Sequence, residues 1–215
     1  MSKYINSLID QGEHQQLDFK FQVNDSRKIA RTIVAFANTE GGKLLIGVKD
    51  NGVIAGVKTE EEYHMIGAAA AMYCKPEIGF ASRSWLIEGK QVLEIDVPEL
   101  KKKPAFALGE EDRWLAYVRV GDQNILAAPI QIKFWKQQND NQGTLIRYSD
   151  KEKMLLTYLS ANPFITIDKF ARIADLPRYR AENILVSLMC TGLIELNQNE
   201  NHYWFRLKDV KEFED

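Results

Sequence analysis

Apolar and polar positions along the 215-residue chain follow two periods in turn, and the switches between them mark out the elements. "KYINSLIDQG" has helical spacing and ends at Gly12, after which "LDFKF" alternates apolar and polar as a half-buried strand does. "SRKIARTIVAFANT" returns to helical spacing, with Ser26 as the expected cap and Ile29, Ile33, Val34, Phe36 and Ala37 forming the apolar stripe. "GGKLLIGVKDNGVIAGV" predicts two strands around Asn51-Gly52, a pair that tolerates the positive φ of a tight turn. A helix over "EEEYHMIGAAAAMYC", a hairpin over "IGFASRSWLIEGKQVLEIDVP" turning near Glu88-Gly89-Lys90, and a strand over "WLAYVRVG" follow. Helices interspersed with hairpins predict an α+β fold built on a mixed sheet, not a doubly wound one.

The periodicity lapses over "KQQNDNQGTLIRYSD", which predicts a linker at 137–147 between a first domain at 1–136 and a second at 148–215. "SDKEKMLLTYLSANP" then reads as a helix capped by Ser149 or Asp150, and "TIDKFARIADLP" as a short helix stopping before Pro177. "RYRAENILVSLMCTGLIEL" is a longer helix stopping near Gly192, and "LIELNQNENHYWFRL" gives two strands joined by a polar turn. Three helices followed by a hairpin is the order of a small winged helix-turn-helix domain. In that arrangement Arg178, Tyr179, Arg180 and Asn183, at the start of the longer helix, are the types that meet phosphates and base edges, while Ile184, Leu185, Leu188 and Met189 turn inward. The wing tip, "NQNENH", carries Glu200 and neither lysine nor arginine, so a protein-interaction or dimerisation module is the competing expectation.

Composition narrows the chemistry. A 45% hydrophobic content supplies a core, and no apolar run approaches the roughly 20 residues that span a bilayer. The opening residues lack the apolar centre and cleavage site of a signal peptide, so a cytoplasmic location is expected. Cys74 and Cys190 lie far apart in helical stretches and read as core thiols, and His14, His64 and His202 lack metal-ligand spacing. The net charge is −2, balanced up to residue 147, so contact with nucleic acid needs a local patch. Lys101-Lys102-Lys103 is the densest basic cluster, either a phosphate-contacting loop or a solvated run, and Arg119 in "YVRVGDQN" suits a phosphate or a surface ion pair. "NTEGGK" lacks P-loop spacing and reads as a helix end in a left-handed turn. No Ser-His-Asp or Gly-x-Ser-x-Gly pattern occurs, which sets nucleophilic catalysis aside.

The acid-x4-acid-x-Lys of "EHQQLDFK", the block "AFANTEGGKLLIGVKDNGVIAGV", "KKKPAF" and "YVRVGDQNILA" occur in one order, and residues 8 to 130 resemble the Schlafen AlbA-like domain on these marks. Prokaryotic members of that family are labelled DNA-binding or ATP-binding domains of regulators, and animal members act as metal-dependent RNases with three carboxylates. The resemblance implies Glu13, Asp18 and Asp50 as catalytic acids and ligands of Mg²⁺ or Mn²⁺, and Lys20, two residues beyond Asp18 on the strand, is placed to neutralise the scissile phosphate. Asp18 stands where the family usually has Glu. Strand geometry puts Asp18 and Lys20 on one face, which is alternatively just the solvated face of a strand whose Leu17, Phe19 and Phe21 pack inward. The implied function is a nucleic-acid-binding transcriptional regulator, contacting phosphates through the AlbA-like domain and DNA through the winged helix. Because animal relatives clamp substrate between two copies of the fold, a homodimer is expected. A metal-dependent endoribonuclease is the alternative, and an ATP-binding regulator ranks third.

Overall fold

The computed structural model describes residues 2–57, 61–140 and 148–208. It divides into two units, Met1–Ala127 and Ala128–Asp215. The first contains α1 (Ser2–Ile9), β1 (Leu17–Lys20), α2 (Ser26–Asn38), β2 (Gly42–Ile46), α3 (Glu61–Met72), β3 (Cys74–Lys75), β4 (Ala81–Ile87), β5 (Lys90–Val97), β6 (Phe106–Leu108), β7 (Trp114–Leu115), β8 (Tyr117–Val120) and β9 (Gln123–Leu126). The second contains α4 (Pro129–Asn139), α5 (Asp150–Ala161), α6 (Ile167–Ile173), α7 (Arg178–Cys190), β10 (Ile194–Gln198) and β11 (Tyr203–Leu207). The division thus falls before residues 128–136, which the sequence pattern groups with the first domain, and α4 extends into the expected linker, whose residues 141–147 lie outside the described residues.

In the first unit β1, β2, β5 and β4 form a sheet in that order, with β1 parallel to β2 and the other pairs antiparallel. The expected mixed sheet is therefore present. Both of its faces are covered. Leu44, Ile46, Ile95 and Val97 pack with Ile33 and Phe36 of α2 and Ile66 of α3, while Leu17, Phe19, Leu45 and Val92 pack with Ile5 of α1. Burial of each such side chain contributes roughly 1.5–3 kcal/mol before conformational entropy is charged against it. A small sheet, β3-β6-β7, and a hairpin, β8-β9, complete the unit.

Local chemistry sets the joints. The cap of α2 is Asp25, whose carboxylate accepts from the N–H groups of Arg27 (2.9 Å) and Lys28 (3.3 Å). Ser26, expected there, is instead the first helical residue and donates to the Met65 carbonyl. At the other end Gly41 has φ +72 and donates its N–H to Phe36 O (2.9 Å), so "NTEGGK" closes the helix in a left-handed turn. Beyond β2 the expected hairpin shrinks to a bridge between Val48 and Ile54. Gly47, at φ +92, ends the strand, and its carbonyl takes the N–H groups of Ala55 (2.8 Å) and Gly56 (2.9 Å), folding the returning chain over the glycine instead of alongside β2. The β9 strand was not expected; it reverses at Gly121 to pair with β8.

In the second unit the N-terminus of α5 carries a reciprocal cap between Ser149 and Glu152. Leu185, Val186, Leu188 and Met189 of α7 pack with Leu155, Leu159, Phe170 and Phe205, and Ile130 of α4 joins the same core. β10 and β11 pair antiparallel, and Ile165 exchanges backbone hydrogen bonds with Phe205 at 2.8 Å each way. Among the described residues no helix is long and apolar enough to cross a membrane.

Candidate functional site

Asp18 occupies the middle of β1, opposite Leu44 in register, and so faces the α2 side of the sheet. Because that side is covered, the residue is only 3% exposed, and the expectation of an outward, solvated acid is corrected. Phe21, expected to pack inward, is instead exposed. What meets Asp18 is Arg119 of β8, itself 2% exposed. Its Nη2 donates to Asp18 Oδ1 (3.1 Å), Leu17 O (3.1 Å) and His14 O (3.3 Å), Nε to His14 O (3.3 Å), and Nη1 to Asn124 Oδ1 (3.1 Å). The guanidinium also stacks over the Phe36 ring at 5.2 Å. Arg119 was expected to reach a phosphate or a surface partner; every nitrogen of its fork is engaged inside the fold, and its role is to bind the segment 14–18 to the β8-β9 hairpin.

Glu13 and Lys20 do gather near Asp18. Lys20 Nζ lies 2.7 Å from Asp18 Oδ2, without the alignment of a directed hydrogen bond, and 4.0 Å from Glu13 Oε1. Glu13 Oε1 accepts from the N–H of Phe19 at 2.8 Å. Burial pushes the Glu13 carboxyl above its ordinary range and the nearness of Asp18 adds to this, against the opposing pull of the Phe19 N–H and of Lys20. Asp50 does not join them. It is exposed in the turn after β2, and among the described residues no group of three or more histidine, cysteine, aspartate or glutamate side chains is arranged to hold a metal ion. A Mg²⁺ or Mn²⁺ ion bound at Asp18 would have to displace a buried guanidinium and an ammonium already neutralising that carboxylate, so these residues do not fit the implied three-carboxylate centre.

A second polar cluster, missed in the sequence, lies on the α1 side of the sheet. Glu94 of β5, 5% exposed, accepts from Tyr4 Oη (2.7 Å) and Trp85 Nε1 (2.8 Å), and Lys43 of β2 lies 3.1 Å from Glu94 and 2.7 Å from Asp96. Burial alone would raise the Glu94 pKa, but the bonds from Tyr4, Trp85 and Lys43 outweigh it and hold the carboxyl below its ordinary value. Burial likewise opposes the Lys43 ammonium, yet its bonds to Asp96 and Glu94 leave it raised. The available signal was the lone Glu inside "VLEIDV" with a lysine on the neighbouring strand. Beside this cluster a cleft of about 360 Å³ is lined by Glu40, Asp96 and Glu99 as well as Lys43. Its three carboxylates, and a lysine already paired to Asp96 and to the neighbouring Glu94, make it a poor cradle for the phosphates of ATP.

The remaining candidates divide into engaged and available groups. Lys103 donates to Thr39 O (2.9 Å) and Glu99 (2.7 Å), whereas Lys101 and Lys102 are exposed. At the start of α7, Arg178 is held by Asp168, by Glu182 at 3.6 Å and by Tyr203 Oη at 3.2 Å; burial opposes its charge, but Asp168 and Tyr203 together leave its pKa raised. Asn183 accepts from Lys133 Nζ at 2.6 Å. Tyr179 and Arg180 are exposed, with Arg180 Nε donating to Tyr179 Oη at 3.1 Å and no acidic partner for Arg180 among the described residues.

Residues 13–128 match the family model described as Schlafen, AlbA_2. No curated protein matches the chain. Among solved structures, the chain is similar to the DIP2311 protein from Corynebacterium diphtheriae, at 19% identity and a TM-score of 0.43 over 68% of this chain and 30% of that one. It is also similar to the N-terminal domain of a RecG-related protein from Nitrosomonas europaea, at 20% identity and a TM-score of 0.42 over 67% of this chain and 96% of that domain.

Proposed function

Since the chain belongs to the Schlafen AlbA_2 family across residues 13–128, we propose that it is a nucleic-acid-binding protein acting as a homodimeric transcriptional regulator. The first unit contacts phosphates through Lys101 and Lys102, and the second is a winged helix-turn-helix that meets DNA through α7. The element order α5-α6-α7-β10-β11, with Ile165 bridged to Phe205 of the wing, supports the second assignment. The observation that carries it is the division of labour in the first turn of α7: Arg178 is tied to Asp168 and Glu182 and so fixes the helix, while Tyr179 and Arg180 stand exposed with the Arg180 charge unspent. Arginine at that position suits a guanine edge or a phosphate. The family relationship supports the broader nucleic-acid role.

A gel shift on duplex DNA, paired with light scattering at the same protein concentration, tests this. Arg180→Ala and Tyr179→Ala should each weaken binding, by about 1–3 kcal/mol where a base edge is contacted. Unchanged shifts in both variants remove α7 as the reader. A monomeric mass in the concentration range that shifts DNA removes the homodimer.

A further inference from the structure

We propose that the outer face of the β3-β6-β7 sheet is a base-stacking subsite for single-stranded nucleic acid. The register decides which side chains share that face. Lys75 pairs with Phe106 and Cys74 with Ala107, while on the other side of β6 Leu108 pairs with Trp114 and Ala107 with Leu115. Cys74, Ala107 and Leu115 pack into or against the main core, so Lys75, Phe106 and Trp114 turn the other way. There they meet Pro76 and Pro104 around an apolar groove of about 530 Å³ in which Trp114 remains 40% exposed. A groove of that size lies within the usual range for ligand clefts, roughly 300–1,000 Å³.

The charges around the groove favour a polyanion. The acids of the turn that leads into β7 are each taken up by an arginine: Glu110 by Arg31 (3.6 Å), Asp112 by Arg27 (3.1 Å) and Glu111 by Arg113 (3.1 Å). Lys75, 5.9 Å from the centre of the Trp114 ring, makes no ion pair among the described residues, and neither do Lys101 and Lys102, on the loop that enters the groove at Pro104. An aromatic and proline-walled groove that carries the unspent Lys75, with Lys102 and Lys101 two and three residues before Pro104 in the chain, is complementary to a polymer that alternates planar bases with phosphates. In a duplex those base faces are already stacked on one another, so the occupant is a single strand. The inference rests on the nucleic-acid role proposed above and narrows it to one strand state and one face.

Fluorescence anisotropy with short labelled single strands of RNA and DNA, the same strands carrying abasic sites, and the DNA duplex tests it on the full chain. Trp114→Ala should weaken single-strand binding between about 5-fold and about 150-fold, the range for loss of one stacked base. Trp114→Phe, which keeps an aromatic face and guards against a folding defect in the alanine variant, should retain most of the affinity. Abasic strands should bind the wild-type protein as weakly as normal strands bind Trp114→Ala. Duplex binding with no single-strand binding, or single-strand binding untouched by Trp114→Ala, overturns the stacking subsite while leaving the DNA-reading proposal in place. No binding of any nucleic acid overturns both. Self-association that Trp114→Ala abolishes while strand binding persists assigns the groove to a second copy of the chain and likewise overturns the subsite.

Discussion

Asp18 is a charge inside a covered sheet, and it is tolerated there because Arg119 and Lys20 neutralise it and the Arg119 fork is spent on carbonyls and Asn124. Removing one partner of such a pair leaves the other buried and uncompensated. Asp18→Ala should therefore cost about 3–5 kcal/mol in urea unfolding, and a midpoint equal to that of wild type would show that Arg119 finds other relief. Loss of any activity in an Asp18 variant consequently reports on folding before it reports on catalysis. Glu94 makes a pH prediction. Its folded-state pKa is lowered, so its contribution to stability is fully present above the ordinary glutamate value of about 4.3 and disappears as pH falls through the lowered one. The stability gap between wild type and Glu94→Gln should thus narrow as the solution is taken from about pH 6 to about pH 3; a gap that widens in acid contradicts the assignment. Glu13 has the opposite sign, its raised value making the ionised form the costly one in the folded state.

At the scale of elements, packing discriminates between glycines that sequence alone treats alike. A Cβ at Gly42, where α2 hands over to β2, would lie 2.5 Å from Phe36 Cδ1, and Phe36 is fully buried. One at Gly67 in α3 would meet nothing within 4 Å. Gly42→Ala should therefore destabilise by about 1–3 kcal/mol through overpacking, and Gly67→Ala should stabilise by about 0.4–1 kcal/mol; thermal melts of the pair that fail to move in opposite directions contradict this packing. The helices and the β4-β5 hairpin were legible because their periodicity is local, and the turn at Glu88-Gly89 needed no tertiary knowledge. The side to which Asp18 points was not. Alternation in "LDFKF" gives two faces, but only tertiary structure tells that α1 covers one and α2 the other, which turns a solvated acid into a buried one. The α2 cap slipped by one position because Asp25 and Ser26 are both competent acceptors, and β9 was missed because "QNIL" offers too few positions to show a period.

For the whole molecule, the lapse in periodicity puts a boundary at 137–147 and the structure divides before Ala128, the difference being α4, since a helix beside a boundary can pack to either side and its sequence does not say which. The candidate site was legible as a neighbourhood: Glu13, Asp18 and Lys20 do come together. Its wiring was not, because Asp18 and its principal partner are 101 residues apart in the chain. That separation also matters during synthesis. At ribosomal speeds of roughly 5–20 residues per second, the nascent Asp18 waits on the order of five to twenty seconds for Arg119 to be made. Until then the Asp18 charge has only the half-exposed Lys20 to offset it, and the carbonyls of His14 and Leu17 lack the guanidinium that ties them down, so the parallel edge of the sheet is the part of this unit expected to settle last on the ribosome and to lean most on chaperones.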